Sequence, residues 1–194
     1  MRFAPRRRAL LAAGLALPVA GVARAEDDKR VAPYAPTDDV VTEAMLDLAG
    51  VRAGDHVVDL GCGDGRIVLA AARRGATGLG VDIDAKLVEL ARRNAVHERL
   101  DTRVSFLQQD LFETDLAQAT VVTLYLFPTI MGRVAAKLAS LAPGTRVVSH
   151  DFPLPGWRVA RLATIDAPGK RDHMGTSEAK LYLYVVSAPG STAR

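Results

Sequence analysis

The chain has a single cysteine, Cys62, in 194 residues, which excludes an internal disulfide and a cysteine-rich metal cluster. Aromatic residues make up only 5% of the sequence and histidines number four, so neither an aromatic nucleic-acid platform nor a histidine-built metal centre is suggested. The longest apolar stretch, Ala9 to Ala23, is too short to span a bilayer comfortably. A basic excess is missing as well. Five of the 25 Lys and Arg residues fall within the first 25 positions, and the remaining 169 residues carry 20 basic against 22 acidic side chains, a formal charge of −2. The sequence pI of 9.2 therefore belongs to the leader and implies no nucleic-acid surface. No internal repeat and no low-complexity segment is present.

With 49% hydrophobic residues, 194 positions suffice for one good core and are short for two. Residues 1–25, MRFAPRRRALLAAGLALPVAGVARA, combine a basic start, an apolar middle and the small-x-small ending Ala23-Arg24-Ala25. This reads as a signal peptide of twin-arginine type, through Arg7-Arg8, with cleavage before Glu26 and bacterial export to the envelope. An uncleaved membrane anchor and a misplaced start codon are the alternatives, the last with a cytoplasmic protein. Residues 26–36 are charged and Pro-containing and read as a linker, residues 37–187 as one domain, and 188–194 as a tail.

Thr37 followed by Asp38 and Asp39 predicts a helix start, a hydroxyl cap with acids in the first turn, and Val40, Val41, Ala44, Met45 and Leu48 then recur at helical spacing. Beyond Gly50, strands and helices alternate. Strands are predicted at 56–60, 77–82, 103–108, 120–126 and 145–150, and helices at 66–74, 85–97 and 129–141. Repeated strand-helix units predict a parallel sheet with helices on both faces. The ending differs: 157–166 and 179–187 read as two strands joined by APGKRDHMGTSE without a helix, hence antiparallel neighbours. The apolar KLYLYVVS places the last strand inside the sheet rather than at its edge.

VVDLGCGDGR, residues 57–66, runs from a strand through Gly61, Gly63 and Gly65 into a helix, which delivers backbone N–H groups and a positive helix end to the carboxyl edge of the sheet. A dinucleotide fingerprint needs its third glycine at position 66, which is Arg66. The pattern present is Asp59-x-Gly61-x-Gly63-x-Gly65, with an acid inside the strand that suits a ligand carrying an ammonium group. Asp82, 21 residues after Gly61, closes the next strand where a carboxylate accepts from ribose hydroxyls. Asp110 follows the third strand, placed to accept from an adenine amino group between Ile83 and Leu111. Taken singly, each acid is an ordinary loop residue; three acids after three successive strands are a constellation.

On these residues the chain resembles the class I S-adenosylmethionine (SAM) methyltransferases over residues 31–187. VVDLGCGDGR is similar to their glycine motif, GVDID to their ribose motif and QQDLF to their adenine motif. The resemblance implies SAM as cofactor and a Rossmann-like α/β fold, seven strands, mostly parallel, with the last antiparallel. It also implies that Asp59, Gly61, Gly63, Asp64, Gly65, Asp82, Ile83, Asp110 and Leu111 hold the cofactor, with Tyr34 folding over it. PYAPTDDVVTEAMLDLAGVRAGD, LVELARRNA and VVSHDFPLPGW further resemble the lysine methyltransferases of the ATP synthase c subunit and the adenine nucleotide translocase, and their bacterial relatives. Cys62 and Asp82 stand where eukaryotic members tend to carry Ser and Glu.

That resemblance implies a protein acceptor, membrane proteins included, methylated on a lysine amine. Nucleic acid is not an expected partner, because an acid or Asn followed by two prolines is absent from TLYLFPTIM after the fourth strand. Candidate catalytic residues are Tyr125, as an aromatic wall for an alkylammonium stem or as core, and Asp151, as a proton acceptor beside a strand-capping His150. Two other functions stay open: a small-molecule or lipid methyltransferase, and a non-catalytic SAM-binding protein of the envelope.

Overall fold

The computed structural model describes residues 36–171 and 175–188, together with Met1. The rest of the leader, all but the end of the 26–36 linker, Tyr34 and residues 189–194 lie outside the described residues. In chain order the elements are α1 (Asp39–Ala49), β1 (His56–Leu60), α2 (Arg66–Arg73), β2 (Thr77–Asp82), α3 (Ala85–His97), β3 (Val104–Gln108), β4 (Val121–Leu124), α4 (Met131–Leu138), β5 (Arg146–His150), β6 (Arg161–Asp166) and β7 (Glu178–Val185), with single 3-10 turns at Leu111–Glu113, Pro128–Ile130 and Pro168–Lys170.

The strands form one seven-stranded sheet in the order β3-β2-β1-β4-β5-β7-β6. β1 to β5 pair in parallel, while β7 runs antiparallel to both β5 and β6, so the expected Rossmann-like α/β architecture, its antiparallel last strand and the internal place of β7 are all present. The period-2 alternation of a strand sorts the core by face. Val57, Val121 and Val148 lie with α1 and α2. Val58, Val122, Leu124 and Val147 lie with α4 on the other side. Both faces are covered, so the central strands carry continuous apolar runs. Fully burying a side chain such as Leu60 or Leu124 contributes about 2 kcal/mol.

Several boundaries differ from those read in the sequence. The N-cap position of α1 is Asp38 rather than Thr37, without a side-chain capping bond. Thr37 is instead buried, its carbonyl accepting from Arg66 Nη1 at 2.7 Å. Val40 is 50% exposed, while Val41 and Thr42 beside it are buried, so the covered face of α1 begins one residue later. β4 stops at Leu124, which puts Tyr125 beyond the strand, and a 3-10 turn begun by Pro128 delays α4 to Met131.

Candidate cofactor and acceptor site

The strand order brings the carboxyl ends of β3, β2, β1, β4 and β5 to one edge, with the order reversing between β1 and β4, where open α/β sheets bind ligands. The first three strands carry the glycine loop and acids expected to meet the cofactor. Gly61, Gly63 and Gly65 have φ of 84°, 53° and 82°, a left-handed backbone that lets the loop reverse into α2. A Cβ on Gly61 would lie 2.9 Å from Leu126, and one on Gly65 would lie 2.6 Å from the Phe106 ring.

Asp59 is buried in β1, in register with Thr123 of β4, whose hydroxyl donates to its Oδ1 at 2.7 Å. Among the described residues no cation pairs with it. Burial, with added repulsion from Asp82 and Asp64 and against the Thr123 hydrogen bond, pushes its carboxyl up to about 7. A desolvated carboxylate with only a neutral donor fits a ligand that supplies an ammonium group, as the methionine end of SAM does. Asp82 ends β2 with Oδ2 accepting from the Gly63 N–H and Oδ1 from the Asp84 N–H, both at 2.9 Å. That fixes the carboxylate while leaving each oxygen a lone pair for a ribose hydroxyl. Asp110 Oδ1 accepts from the Phe112 N–H at 2.9 Å, starting the turn that carries Leu111, and Ile83 follows Asp82 half-buried. The residues present thus fit SAM.

Asp64 plays a different visible part. It binds the Arg66 guanidinium through both oxygens, the shortest contact being 2.6 Å, and so clamps the glycine loop to the start of α2. Cys62 is buried and its thiol is pushed far up by desolvation and by the carboxylates of Asp59, Asp82 and Asp64, which leaves it inert.

Across the switch point the site is built from side chains. Tyr125 stacks on His150, ring centroids 4.0 Å apart at 25°. His150 is 2% exposed and neither ring nitrogen has a hydrogen-bond partner. Burial holds it at about 4, against the pull of Asp151 and Asp38 and with help from Lys170, so it is neutral. Burial and the charges of Asp151 and Asp38 push Tyr125 up to about 12. Asp151 adopts φ 62° and is gripped by Lys170, whose Nζ lies 2.7 Å from Oδ1 and 2.6 Å from Oδ2 and also donates to the Glu178 carbonyl. The backbone N–H of Lys180 adds a bond to Oδ1 at 3.1 Å. Sequence reasoning singled out Tyr125 and Asp151 but missed Lys170 and Asp38, which lie far from both in the chain. At the opposite edge of the sheet, Asp55 accepts from the Arg52 N–H, the Thr120 hydroxyl and Arg146, a fully satisfied structural carboxylate. Orphaned polar atoms concentrate at the carboxyl edge.

No group of three or more His, Cys, Asp or Glu suited to a metal occurs among the described residues. Nor is any helix there long and apolar enough to cross a membrane.

Comparison with known proteins points the same way. The family model of the ANTKMT methyltransferase domain matches residues 59–161, just over half of the chain. A protein-lysine N-methyltransferase of Saccharolobus islandicus is 37% identical over 157 residues, 79% of this chain and 93% of that protein. The adenine nucleotide translocase lysine N-methyltransferase of Mus musculus is 38% identical over 128 residues, 65% of this chain but only 56% of that protein. Among solved structures, an RNA methyltransferase from Salinibacter ruber in complex with S-adenosyl-L-homocysteine superposes with a TM-score of 0.70 at 43% identity, covering 79% of this chain and 94% of that one. The chain therefore belongs to the ANTKMT methyltransferase family and uses S-adenosylmethionine as its cofactor.

Proposed function

We propose that the protein transfers the methyl group of SAM to the side-chain amine of lysine in a protein acceptor. The observation that carries this reading is the 37% identity to a protein-lysine N-methyltransferase over nearly that protein's whole length. The chemistry at the carboxyl end of β5 supports it. When bound, SAM supplies an activated methyl on a sulfonium, so the protein's task is to align the acceptor and exclude water. Asp59 and Asp82 are suited to hold the cofactor's ammonium and ribose, while the Asp38, Asp151 and Lys170 group, with one carboxylate more than it has ammonium groups, and the Tyr125 ring offer an anionic and aromatic setting for an alkylammonium stem. The lysine must shed a proton before it attacks, and carboxylates beside the Tyr125 ring favour capture of the cation and relay of that proton.

A second reading, methylation of RNA, is favoured by the Salinibacter ruber structure at 43% identity. The −2 charge of residues 26–194 speaks against it, since RNA binding draws on basic surface. The leader supports an envelope location, exported or anchored through residues 1–25, and a membrane protein as acceptor. A reporter fused after Arg194 reads which side of the membrane the domain occupies.

The deciding experiment incubates the full chain and methyl-labelled SAM with membrane, soluble and RNA fractions from cells lacking the gene, with Asp82→Ala as control. Base-stable label on a protein band, absent in the control, is the expected result. Label confined to RNA, lipid or small molecules overturns the lysine reading. SAM binding without transfer to any fraction makes the protein a binding module.

A further inference from the structure

Polar groups without partners gather where the start of α1 meets the ends of β4 and β5 and the turn after β6. Asp38 occupies the N-cap position of α1, yet its side chain makes no capping bond. It packs against Gly169, close enough that a Cβ there would sit 2.5 Å from Oδ1, and its Oδ2 is buried without a hydrogen-bond partner. One helical turn along, the Thr42 hydroxyl is also buried and unpartnered. The second and independent sign is His150: almost wholly buried, both ring nitrogens unpartnered, and Nε2 3.6 Å from Asp151 Oδ1. Gly169, on which Asp38 packs, is followed directly by Lys170, whose Nζ grips Asp151, so the 168–170 turn holds the two carboxylates in one cluster beside the Tyr125–His150 ring stack.

Counting charges shows what the cluster lacks. It holds two carboxylates, a neutral imidazole and one ammonium. Lys170 spends that ammonium on Asp151 and on the Glu178 carbonyl. Among the described residues Asp38 is left without a paired cation, and a buried carboxylate oxygen with no donor is costly unless something arrives to satisfy it. An ammonium brings three donors and a positive charge, and the aromatic face of Tyr125 suits the stem behind it. A neutral hydroxyl brings one donor and no charge.

Resting on the lysine reading above, we propose that Asp38 is the acceptor-binding carboxylate: the incoming lysine ammonium donates to Asp38 Oδ2 and completes the charge of the Asp38–Asp151–Lys170 cluster. Selectivity for a cationic amine over a hydroxyl or a nucleobase nitrogen follows, because only the cation neutralises the spare carboxylate. The start of α1 also reaches the glycine loop, the Thr37 carbonyl accepting from Arg66, so SAM affinity is measured beside the acceptor kinetics.

The test uses the full chain with poly-L-lysine as methyl acceptor, total RNA as a competing acceptor, and Asp38→Asn. Asn keeps the shape and serves as a helix N-cap, and Asp38→Ser, a second capping residue without charge, covers the case in which Asn disturbs folding. For either variant the expected result is a KM for poly-L-lysine raised about tenfold or more, kcat changed by less than about threefold, and SAM affinity within about twofold of the parent, the split expected of lost acceptor binding. Poly-L-lysine methylated with an unchanged KM overturns the Asp38 assignment while leaving the lysine reading standing. A loss that appears in SAM affinity instead makes Asp38 structural and overturns it as well. Label entering RNA and not poly-L-lysine in the parent protein overturns the lysine reading, and the assignment falls with it.

Discussion

The two halves of the carboxyl edge solve their recognition problems differently. On the β1–β3 side, three short segments each end a strand and place an acid within two residues of it, while the loop itself is shaped by glycine backbone. On the β4–β5 side, Asp38, Tyr125, the His150–Asp151 pair and Lys170 come from four places in the chain and work mainly through side chains. An invariant ligand such as a cofactor can be met by local backbone motifs; an acceptor is met by side chains that tertiary folding collects. The difference is experimentally separable: damage to the first half should remove cofactor binding, and damage to the second should spare it.

The largest effect is expected at Gly65. At φ 82° any side chain is strained by about 1–2 kcal/mol, and its Cβ would press on Phe106 at 2.6 Å and Ala91 at 2.9 Å. Overpacking adds a further ~1–3 kcal/mol. Gly65→Ala should therefore lose about 3 kcal/mol or more of stability and all measurable SAM binding. Gly54 has φ 89° with nothing within 4 Å of a Cβ, so Gly54→Ala isolates the backbone term and should cost only about 1 kcal/mol. Denaturant unfolding of both variants measures the pair, and equal losses would show that close approach does not shape the cofactor loop.

Next comes Asp151→Asn. Asn tolerates the φ of 62°, so the backbone is not penalised, but Lys170, only 8% exposed, loses its counter-ion. An uncompensated buried charge costs about 3 kcal/mol, and Asp151→Asn combined with Lys170→Met should recover most of it. SAM affinity should stay within about twofold in the single variant at a temperature where it is folded. A large fall in that affinity would merge the two halves into one unit. Asp82→Ala is the mirror experiment. On the proposal that Asp82 holds the ribose, it removes charged hydrogen bonds worth about 2–3 kcal/mol, so calorimetry should show SAM binding weakened by ~30–100-fold, while loss of the bonds from the Gly63 and Asp84 N–H groups lowers the stability of the free protein as well.

The same division explains how far the sequence could be read. β2 and α3 were legible to the residue, 77–82 and 85–97, because each is bounded by local signals: the Arg74-Gly75 break before TGLGVD, and Asp84, whose side chain caps α3 by accepting from the Lys86 N–H at 2.8 Å. The parallel α/β layering followed from the alternation of strands and helices, the seven-stranded Rossmann-like form from the family resemblance, and the places of Asp59, Asp82 and Asp110 near the ends of β1, β2 and β3 from spacing. Asp38 was legible only as a first-turn acid, since nothing near it announces that Gly169 will pack on its side chain. Lys170 lies in a polar stretch that reads as surface, yet it is buried by an ion pair with Asp151, 19 residues earlier. Helical periodicity gives a face but not what covers it, which is why Val40 reads as core and stands exposed.

The smallest effect, and the finest test of the comparison, is the dependence of stability on pH. Asp59, at about 7 in the fold against an ordinary 3.8, holds its proton more tightly folded than unfolded, so its contribution is full below pH 4 and is lost as pH rises toward 7. His150, at about 4 against 6.5, has the opposite sign: the fold excludes its protonated form, so stability is lost as pH falls from 6.5 to 4. His56, also lowered by burial, adds to the His150 side. The cofactor half and the acceptor half therefore offset each other between pH 4.5 and 6.5, each with a slope of at most about 1.4 kcal/mol per pH unit. Asp59→Asn should leave a stability that rises with pH across this range, and His150→Phe one that falls, with the parent between them in chemical denaturation at a series of pH values. A parent-like profile in Asp59→Asn would mean that its carboxyl titrates normally and that the β1 acid is not waiting for a cationic ligand.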